Sequence, residues 1–282
     1  MDAVVLALCS AALFGGMTVA LRPALARGGD PLVGALWTVL PATAVALVAA
    51  AIAGDWNVAD VWPFALAGIL GPGLSQILFL LAIRDAGPSR ASATVGVAPL
   101  FAVSFAVVLL GEPLVAGIVL GAVLIVTGGI LLASESRRPD HVKTIGLLFA
   151  LAAAGVFASR DTFVRWFAVD SAVSPELAIS ATLLAGAATT LGAVLASRRP
   201  LTLGSLPAFV PAGLMFGISY VLLYEAFFRG RLSVVAPLVA TESLWGVGLS
   251  ALFLRRIEGV GRRLVLGALF VVAGGIVIGL TR

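Results

Sequence analysis

The chain alternates between long apolar stretches and short polar connections along its whole length. Glycine, proline or charged residues bound each stretch, and many stretches approach the roughly 20 residues that an α-helix needs to cross a bilayer. The pattern predicts ten spans, near 3–21, 32–53, 62–82, 89–110, 114–133, 144–167, 176–197, 207–228, 232–254 and 262–280. We therefore expect an all-α membrane protein. Its first apolar run is predicted to be a span and not a signal peptide, because no positive side chain precedes it and further spans follow.

The two halves of the chain resemble each other. The stretch GAVLIVTGGI at 121–130 matches GALFVVAGGI at 267–276, with six of ten residues identical at an offset of 146 residues. Further upstream, Ser75 matches Ser219 at an offset of 144. Each half would contain five spans, and an odd number turns the second half upside down in the membrane relative to the first, as in many transporters. The predicted five-helix repeats are 1–138 and 139–282.

Composition agrees with a membrane protein and excludes other classes. Hydrophobic residues make up 61% and charged residues 11% of the chain, against about a quarter charged in soluble domains. The basic residues cluster between spans, so we expect no nucleic-acid partner despite the high isoelectric point. One cysteine, Cys9, and one histidine, His141, leave no disulfide and predict neither a metal site nor a cofactor. No HExxH, GxSxG or GxxxxGK[ST] motif occurs, so neither an enzyme nor ATP-driven transport by this chain alone is expected.

The basic residues also predict an orientation. Connections after odd-numbered spans carry thirteen of them, and the other side of the membrane carries four, namely Arg165, Arg229, Arg231 and Arg282. Positive residues in short connections stay in the cytoplasm. We therefore predict a multi-pass protein of the inner cell membrane with both termini outside.

Four charged residues stand out within predicted spans, where charges are costly and tend to face a protein interior or a wet cavity. At 1.5 Å per residue, Arg160, Asp161 and Glu225 are predicted to form one charged layer near an edge of the membrane, with Arg160 paired to either acid. This layer is either an external gate or a structural network, and both interpretations stay open. Glu242 falls near the midplane, where it either binds substrate or a proton or has a structural role.

Further polar and aromatic residues are candidates for the same cavity. Ser75 and Gln76 are the repeat partners of Ser219 and Tyr220, so the two pairs are predicted to face each other. The aromatic candidates have core packing or a membrane-interface belt as the alternative; they are Tyr224, Trp37 and Trp245. Helix breakers at midplane positions predict hinges, namely Gly71, Pro72, Gly73, Pro99 and Pro237.

Two more features concern the helix ends and helix packing. Glu112 and Glu258 are predicted to cap the first turns of spans 5 and 10, where the helix dipole favours an acid. Three GxxxG pairs allow close helix approach, at Gly117/Gly121, Gly213/Gly217 and Gly275/Gly279. We expect them to pack inside one protomer, and a homodimer through spans 5 and 10 stays open.

Two segments resemble a known transporter family. The stretch FAVVLLGEPLVAGIVLGAVLIVTGGILL at 105–132 and the stretch FRGRLSVVAPLVA at 228–240 are similar to the EamA-domain branch of the drug/metabolite transporter superfamily. The resemblance covers essentially the whole chain, and it implies a transporter of amino acids, drugs, sugars or other metabolites. Glu242, in ATESLW, departs from the small or neutral polar residue that the family more often has there.

Together these observations predict a secondary transporter that exports small metabolites such as amino acids or amphipathic compounds. It would work by alternating access at a cavity between the two repeats, with proton coupling through Glu242 or Asp161 left open. A lipid or lipid-linked sugar flippase and an uncoupled facilitator are the alternatives. The expected partners are a small-molecule substrate and the lipid bilayer.

Overall fold

Every regular element among the described residues is helical. The computed structural model describes residues 2–86, 91, 94–134, 144–253 and 262–281. Its main helices are α1 Ala3–Ala26, α2 Pro31–Ala53, α3 Trp62–Gly68, α4 Ser75–Ala86, α5 Ala98–Leu110, α6 Ala116–Ser134, α7 Thr144–Ala168, α8 Pro175–Ala196, α9 Leu206–Arg229, α10 Leu232–Val239, α11 Glu242–Phe253 and α12 Arg262–Thr281.

Helices occupy all ten predicted spans in the described part of the chain, which confirms the all-α membrane class. Six stretches are long and apolar enough to cross a membrane: Ala3–Leu25, Pro31–Ala53, Trp62–Ala86, Thr144–Ala168, Pro175–Ala196 and Leu203–Arg229. The helices of the remaining predicted spans are shorter, so it stays a prediction that all ten spans cross the membrane. The predicted repeat boundary at 138/139 lies outside the described residues.

Helix ends follow local side-chain chemistry. The Asp30 carboxylate caps α2 by accepting hydrogen bonds from the backbone N–H groups of Leu32, at 2.8 Å, and Val33, at 3.2 Å. This cap satisfies donors that have no partner inside the helix. Gly111 ends α5 with a φ of 65°. This is a left-handed conformation that glycine adopts without a steric penalty.

The third span is broken at the predicted hinge Gly71–Gly73. A π-helical segment, Ile69–Leu74, joins α3 to α4, and Gly71 within it has non-helical angles of φ −147° and ψ 120°. Pro72 has no backbone N–H, so it removes one helical hydrogen bond. The break packs against α8, where a Cβ on Gly73 would lie 2.9 Å from the Thr189 side chain. Protein therefore covers the interrupted backbone, as it must inside a membrane.

The ninth span is broken too, at Ala240 and Thr241, which separate α10 from α11. The Thr241 hydroxyl donates to the Leu238 carbonyl at 2.7 Å, and the Ser243 hydroxyl donates to the Ala240 carbonyl at 3.1 Å. These hydroxyl groups give the Leu238 and Ala240 carbonyls a second donor beside the backbone N–H groups of Thr241, at 3.1 Å, and Ser243, at 3.3 Å. A turn at residues 96–97 precedes α5 in the fourth span, 144 positions earlier. The two spans are thus interrupted at equivalent positions of the two halves.

Contacts between the halves come in matched sets. α1 packs on α9 and α4 packs on α7; α2 packs on α9 and α3 packs on α8; α1 packs on α11 and α5 packs on α7. Three further pairs join equivalent helices of the two halves: α2 with α8, α5 with α10, and α6 with α12. Two related halves packed around a pseudo-twofold axis would give this pattern.

Glycines of the predicted GxxxG pairs allow close packing inside the chain. A Cβ on Gly217 of α9 would lie 2.8 Å from Ala42 Cα and from Val45 Cβ, both on α2. A Cβ on Gly121 of α6 would lie 2.8 Å from the Gly274 carbonyl oxygen on α12. These glycines therefore pack against helices of the same protomer. A homodimer stays a prediction.

Gly217→Ala is expected to destabilise the protein by about 1–3 kcal/mol, because backbone atoms of α2 would have to move away from the added methyl group. The matched control is Gly192→Ala on α8, where an added Cβ meets nothing within 4 Å and helix propensity favours alanine. Thermal melting in detergent checks the pair. Equal melting temperatures for the two variants would contradict the close α2–α9 contact.

Candidate functional site

A small cavity lies where the broken ninth span meets the first, fourth, sixth and eighth spans. It has a volume of about 50 Å³, and helices of both halves contribute to its wall. Its charged and hydroxyl-bearing lining residues are Ser10, Arg160, Asp161, Tyr220 and Glu242. Apolar lining residues include Pro99, a predicted hinge, and the aromatic residues Phe14 and Phe157. The cavity is therefore a charged site inside an apolar bundle.

Arg160 and Asp161, adjacent on α7, form a buried ion pair. Arg160 Nε lies 2.9 Å from Asp161 Oδ1, and the two side chains are 3% and 12% exposed. The N–H does not point at the carboxylate oxygen, so the pair lacks a hydrogen bond between these atoms. The guanidinium also lies over the Tyr220 ring, with Cζ 4.7 Å from its centroid. Arg160 is thus held by charge and by a cation–π contact.

A chain of hydroxyl groups fixes the neighbourhood of Arg160. The Tyr224 hydroxyl on α9, one helical turn after Tyr220, donates to Thr182 Oγ1 on α8 at 2.8 Å. Thr182 Oγ1 lies 2.9 Å from the carbonyl oxygens of Phe64 and Ala178, to which it donates. This chain links α8 and α9 of the second half to α3 of the first. Its only signal in the sequence is a threonine inside an apolar run, and sequence reasoning missed it.

Glu242 begins α11 and is 7% exposed. Its carboxylate has no hydrogen bond or ion pair with any described residue, although Asp161 and Arg160 line the same cavity. The backbone holds Glu242 closely: a Cβ on Gly15 of α1 would lie 2.7 Å from the Glu242 carbonyl oxygen. The position of this acid is therefore fixed by helix packing, while its carboxylate remains available inside the cavity.

Glu225 does not share the cavity of the other three predicted charged residues. The structure brings Arg160 and Asp161 into the cavity of Glu242 and leaves Glu225 outside it. Glu225 instead forms an ion pair with Arg229, one turn further along α9. Successive helical residues point about 100° apart. Glu225 therefore points away from the face that carries Tyr220 and Tyr224.

The other predicted polar residues divide into two groups. Ser75 lies close to Arg160, since a Cβ on Gly71 would be 2.9 Å from Ser75 Oγ and 3.5 Å from Arg160 Nε. Ser75 Oγ, both amide atoms of Gln76 and the Tyr220 hydroxyl are buried without a hydrogen-bond partner among the described residues. Ser219, in contrast, bonds to Ser10 across the α1–α9 crossing, with 2.9 Å between the hydroxyl oxygens.

Three predicted aromatic residues do not line the cavity, namely Tyr224, Trp37 and Trp245. Trp37 Nε1 donates to Ser205 Oγ at 3.0 Å, which ties α2 to the start of α9. Trp245 is 42% exposed on α11. The predicted hinge Pro237 is buried in α10, three residues before the break at Ala240. Sequence reasoning missed the lining residues Ser10, Phe14 and Phe157, because an apolar residue gives no sign of which helix face it occupies.

The predicted cap formed by Glu112 is also corrected. Its two carboxylate oxygens accept the backbone N–H groups of Leu232, at 2.9 Å, and Ser233, at 3.0 Å. Glu112 therefore caps α10 of the other half and not α6, the next helix in the chain. Glu258, its predicted counterpart, lies outside the described residues.

These features define a class: a helical membrane protein with a charged cavity enclosed by both halves of the chain. Residues 1–134 match the EamA-like transporter family, which confirms the resemblance noted in the sequence over this part of the chain. One solved crystal structure is 22% identical and has a TM-score of 0.81, covering 99% of this chain and 96% of its own. No curated protein matches the chain. The family indicates a membrane transporter of small molecules, and the structural likeness shows a shared fold.

Thr182→Val is expected to destabilise the protein by about 1–2 kcal/mol, because the Tyr224 hydroxyl loses its acceptor and Phe64 loses a donor. Tyr224→Phe should cost a similar amount, and the double variant should cost less than the sum of the two, as for any directly bonded pair. Thermal melting measures all three variants. Thr189→Val on the same helix is the control, because that hydroxyl donates to the Ala185 carbonyl of its own helix. Strictly additive losses would contradict the contact.

Proposed function

We propose that the protein is a secondary transporter that exports small metabolites, such as amino acids or amphipathic compounds, through this cavity. The observation that carries the proposal is that the cavity contains both buried hydrogen-bond donors and a carboxylate acceptor that lack partners among the described residues. Arg160 Nη1 and the Tyr220 hydroxyl are buried donors without a partner among the described residues, and the Glu242 carboxylate is an acceptor in the same cavity. Buried polar groups without partners are costly, and in a cavity they suggest a ligand or water.

A molecule that carries both a carboxylate and an amine would satisfy these groups. The planar guanidinium of Arg160 suits a carboxylate, and Glu242 suits a cationic amine. Phe14 and Phe157, which line the cavity, would contact an apolar side chain. A volume of about 50 Å³ requires the cavity to widen around such a substrate. It also favours a small metabolite over a lipid-linked sugar.

Widening and alternating access are supported by the broken helices. The breaks at Gly71–Gly73 and at Ala240–Thr241 interrupt the helical hydrogen bonding next to the cavity residues Arg160 and Glu242. We assign hinge roles to Gly71, Pro72, Gly73, Pro99 and Pro237. The matched contacts between helices of the two halves support two inverted five-helix repeats, 1–138 and 139–282, that rock around the cavity.

Glu242→Gln tests the role of this acid and the coupling to protons. Asp161 and Arg160 are the charged groups that line the cavity with it. We expect wild-type proteoliposomes to accumulate radiolabelled amino acids or amphipathic amines when a pH gradient is applied. Glu242→Gln should lower this accumulation by roughly tenfold, equivalent to about 1.4 kcal/mol of lost binding.

The matched control is Glu176→Gln, which makes the same change in the first turn of α8 and should leave accumulation unchanged. Transport that depends on neither the gradient nor Glu242 would identify an uncoupled facilitator and return Glu242 to a structural role. No transport of any tested compound would contradict the proposed substrate class.

The proposal includes an orientation with both termini outside the inner cell membrane, which rests on the thirteen basic residues in the opposite connections. A C-terminal fusion to alkaline phosphatase, which is active only outside the cytoplasm, should therefore be active. A fusion after residue 198, within one of the basic connections, should be inactive and serves as the control. The reverse pattern would overturn the orientation and leave the cavity unaffected.

A further inference from the structure

α10 begins without a cap of its own. Arg231, at its N-cap position, makes no side-chain hydrogen bond to the helix. The first N–H groups of any helix lack partners inside it, and α10 has only eight residues, Leu232–Val239. Those first donors are therefore a large part of its hydrogen bonding. Two of them are satisfied by Glu112, at 2.9 Å and 3.0 Å.

The bonds to Glu112 are of a strong kind. A carboxylate that accepts two backbone N–H groups at a helix N-terminus forms charge-assisted hydrogen bonds, aligned with the positive end of the helix dipole. Both donors belong to residues that are almost fully buried, since Leu232 is 0% and Ser233 is 1% exposed. Without Glu112 these donors would lie in the protein interior with no acceptor from α10 itself.

Glu112 and α10 belong to different halves of the chain. Glu112 lies in the connection between α5 and α6, and it is 120 residues away from Leu232 in the sequence. The two helices adjoining this contact, α5 and α10, pack on each other and form facing parts of the cavity wall. The contact therefore fastens the two sides of the cavity to each other at one end.

That end can be identified from its neighbours. A Cβ on Gly230 would lie 2.7 Å from Ala3 Cβ at the start of α1, and Gly117 at the start of α6 packs on Thr281 at the end of α12. The contact thus lies at the end of the molecule where α1 begins and α12 ends. The cavity residue Ala236 follows Leu232 by about one helical turn, roughly 6 Å deeper.

We propose that Glu112 is a clasp between the halves: it holds α10, and through α10 Glu242, in place while the cavity is closed at this end, and it must release before the cavity opens there. The proposal rests on the alternating access proposed above. The reason is geometric. Opening between α5 and α10 separates the two partners beyond hydrogen-bond reach, so both bonds break together. Glu112 is therefore a positioning residue that need not touch substrate.

The test measures access to the cavity from each side of the membrane. Cys9→Ala removes the single cysteine of the chain, and Ala236→Cys then places a thiol on the cavity wall. A membrane-impermeant maleimide is applied to proteoliposomes of known orientation, first at the end of the molecule that carries α12's last residue and then at the other end. The rate of alkylation is the readout.

Glu112→Ala should raise the alkylation rate from the α12 end by roughly tenfold or more, because two charge-assisted hydrogen bonds that favour the closed state are lost. Glu112→Gln keeps one acceptor oxygen and should give a smaller increase. The rate from the opposite end should not rise. Glu176→Gln, an acid at the start of α8 that bonds to no group of α10, is the control and should leave both rates unchanged.

Three results would overturn the proposal. The first is an unchanged or lower rate from the α12 end in a folded Glu112→Ala protein. The second is an equal increase from both ends, since that indicates general loosening. The third applies where Glu112→Ala fails to fold: Glu112→Gln then decides, and an unchanged rate rejects the clasp. The assay needs no substrate, so a failure of the clasp is distinguishable from a failure of the proposed transport, which the uptake experiment tests separately.

Discussion

A helix that is interrupted inside a membrane must have its exposed backbone groups covered by protein or by a wet cavity, because lipid offers no hydrogen bonds. This constraint organises the structure. The break at Gly71–Gly73 is packed against α8. At the break at Ala240–Thr241, the Leu238 and Ala240 carbonyls accept both backbone N–H and hydroxyl groups. Both breaks lie next to the polar interior that holds Arg160 and Glu242. The interrupted backbone and the buried charges are therefore covered by the same part of the protein.

The two halves share a scaffold but contribute differently to the site. The positions in the first half that correspond to Arg160, Asp161 and Glu242 hold Gly16, Met17 and Ala98. Met17 is fully buried, and a Cβ on Gly16 would lie 3.2 Å from the Met215 sulfur. Gly16 and Met17 serve packing, Ala98 lines the cavity without a charge, and the second half supplies the charges. The helix arrangement is therefore similar in the two halves, but the charged residues come from one half, so the two sides of the cavity differ chemically.

The sequence predicted the helices well and the site only in part. Apolar length and capping residues such as Asp30 determine where helices lie, and both are local properties. The pairing of Arg160 with Asp161 was also accessible, since they are neighbours. The sequence could not show that Glu225 lies outside the cavity, because depth along a helix does not specify which way a side chain faces. The partner of Glu112 was inaccessible for another reason: it lies 120 residues away, and only tertiary packing joins the two.

The crossing of α1 and α9 has a consequence for how this molecule can move. The hydroxyl oxygens of Ser10 and Ser219 lie 2.9 Å apart, and each also lies 2.9 Å from the other residue's backbone carbonyl oxygen, so each hydroxyl has an acceptor on the other helix. A slide of one helix along the other by a single turn would separate both hydroxyl groups from these acceptors. Such a crossing resists translation, while a small swivel about it keeps the oxygens within reach. The serine pair would then act as a pivot. α1 and α9 could rotate relative to each other about their crossing point, while the crossing point itself does not move.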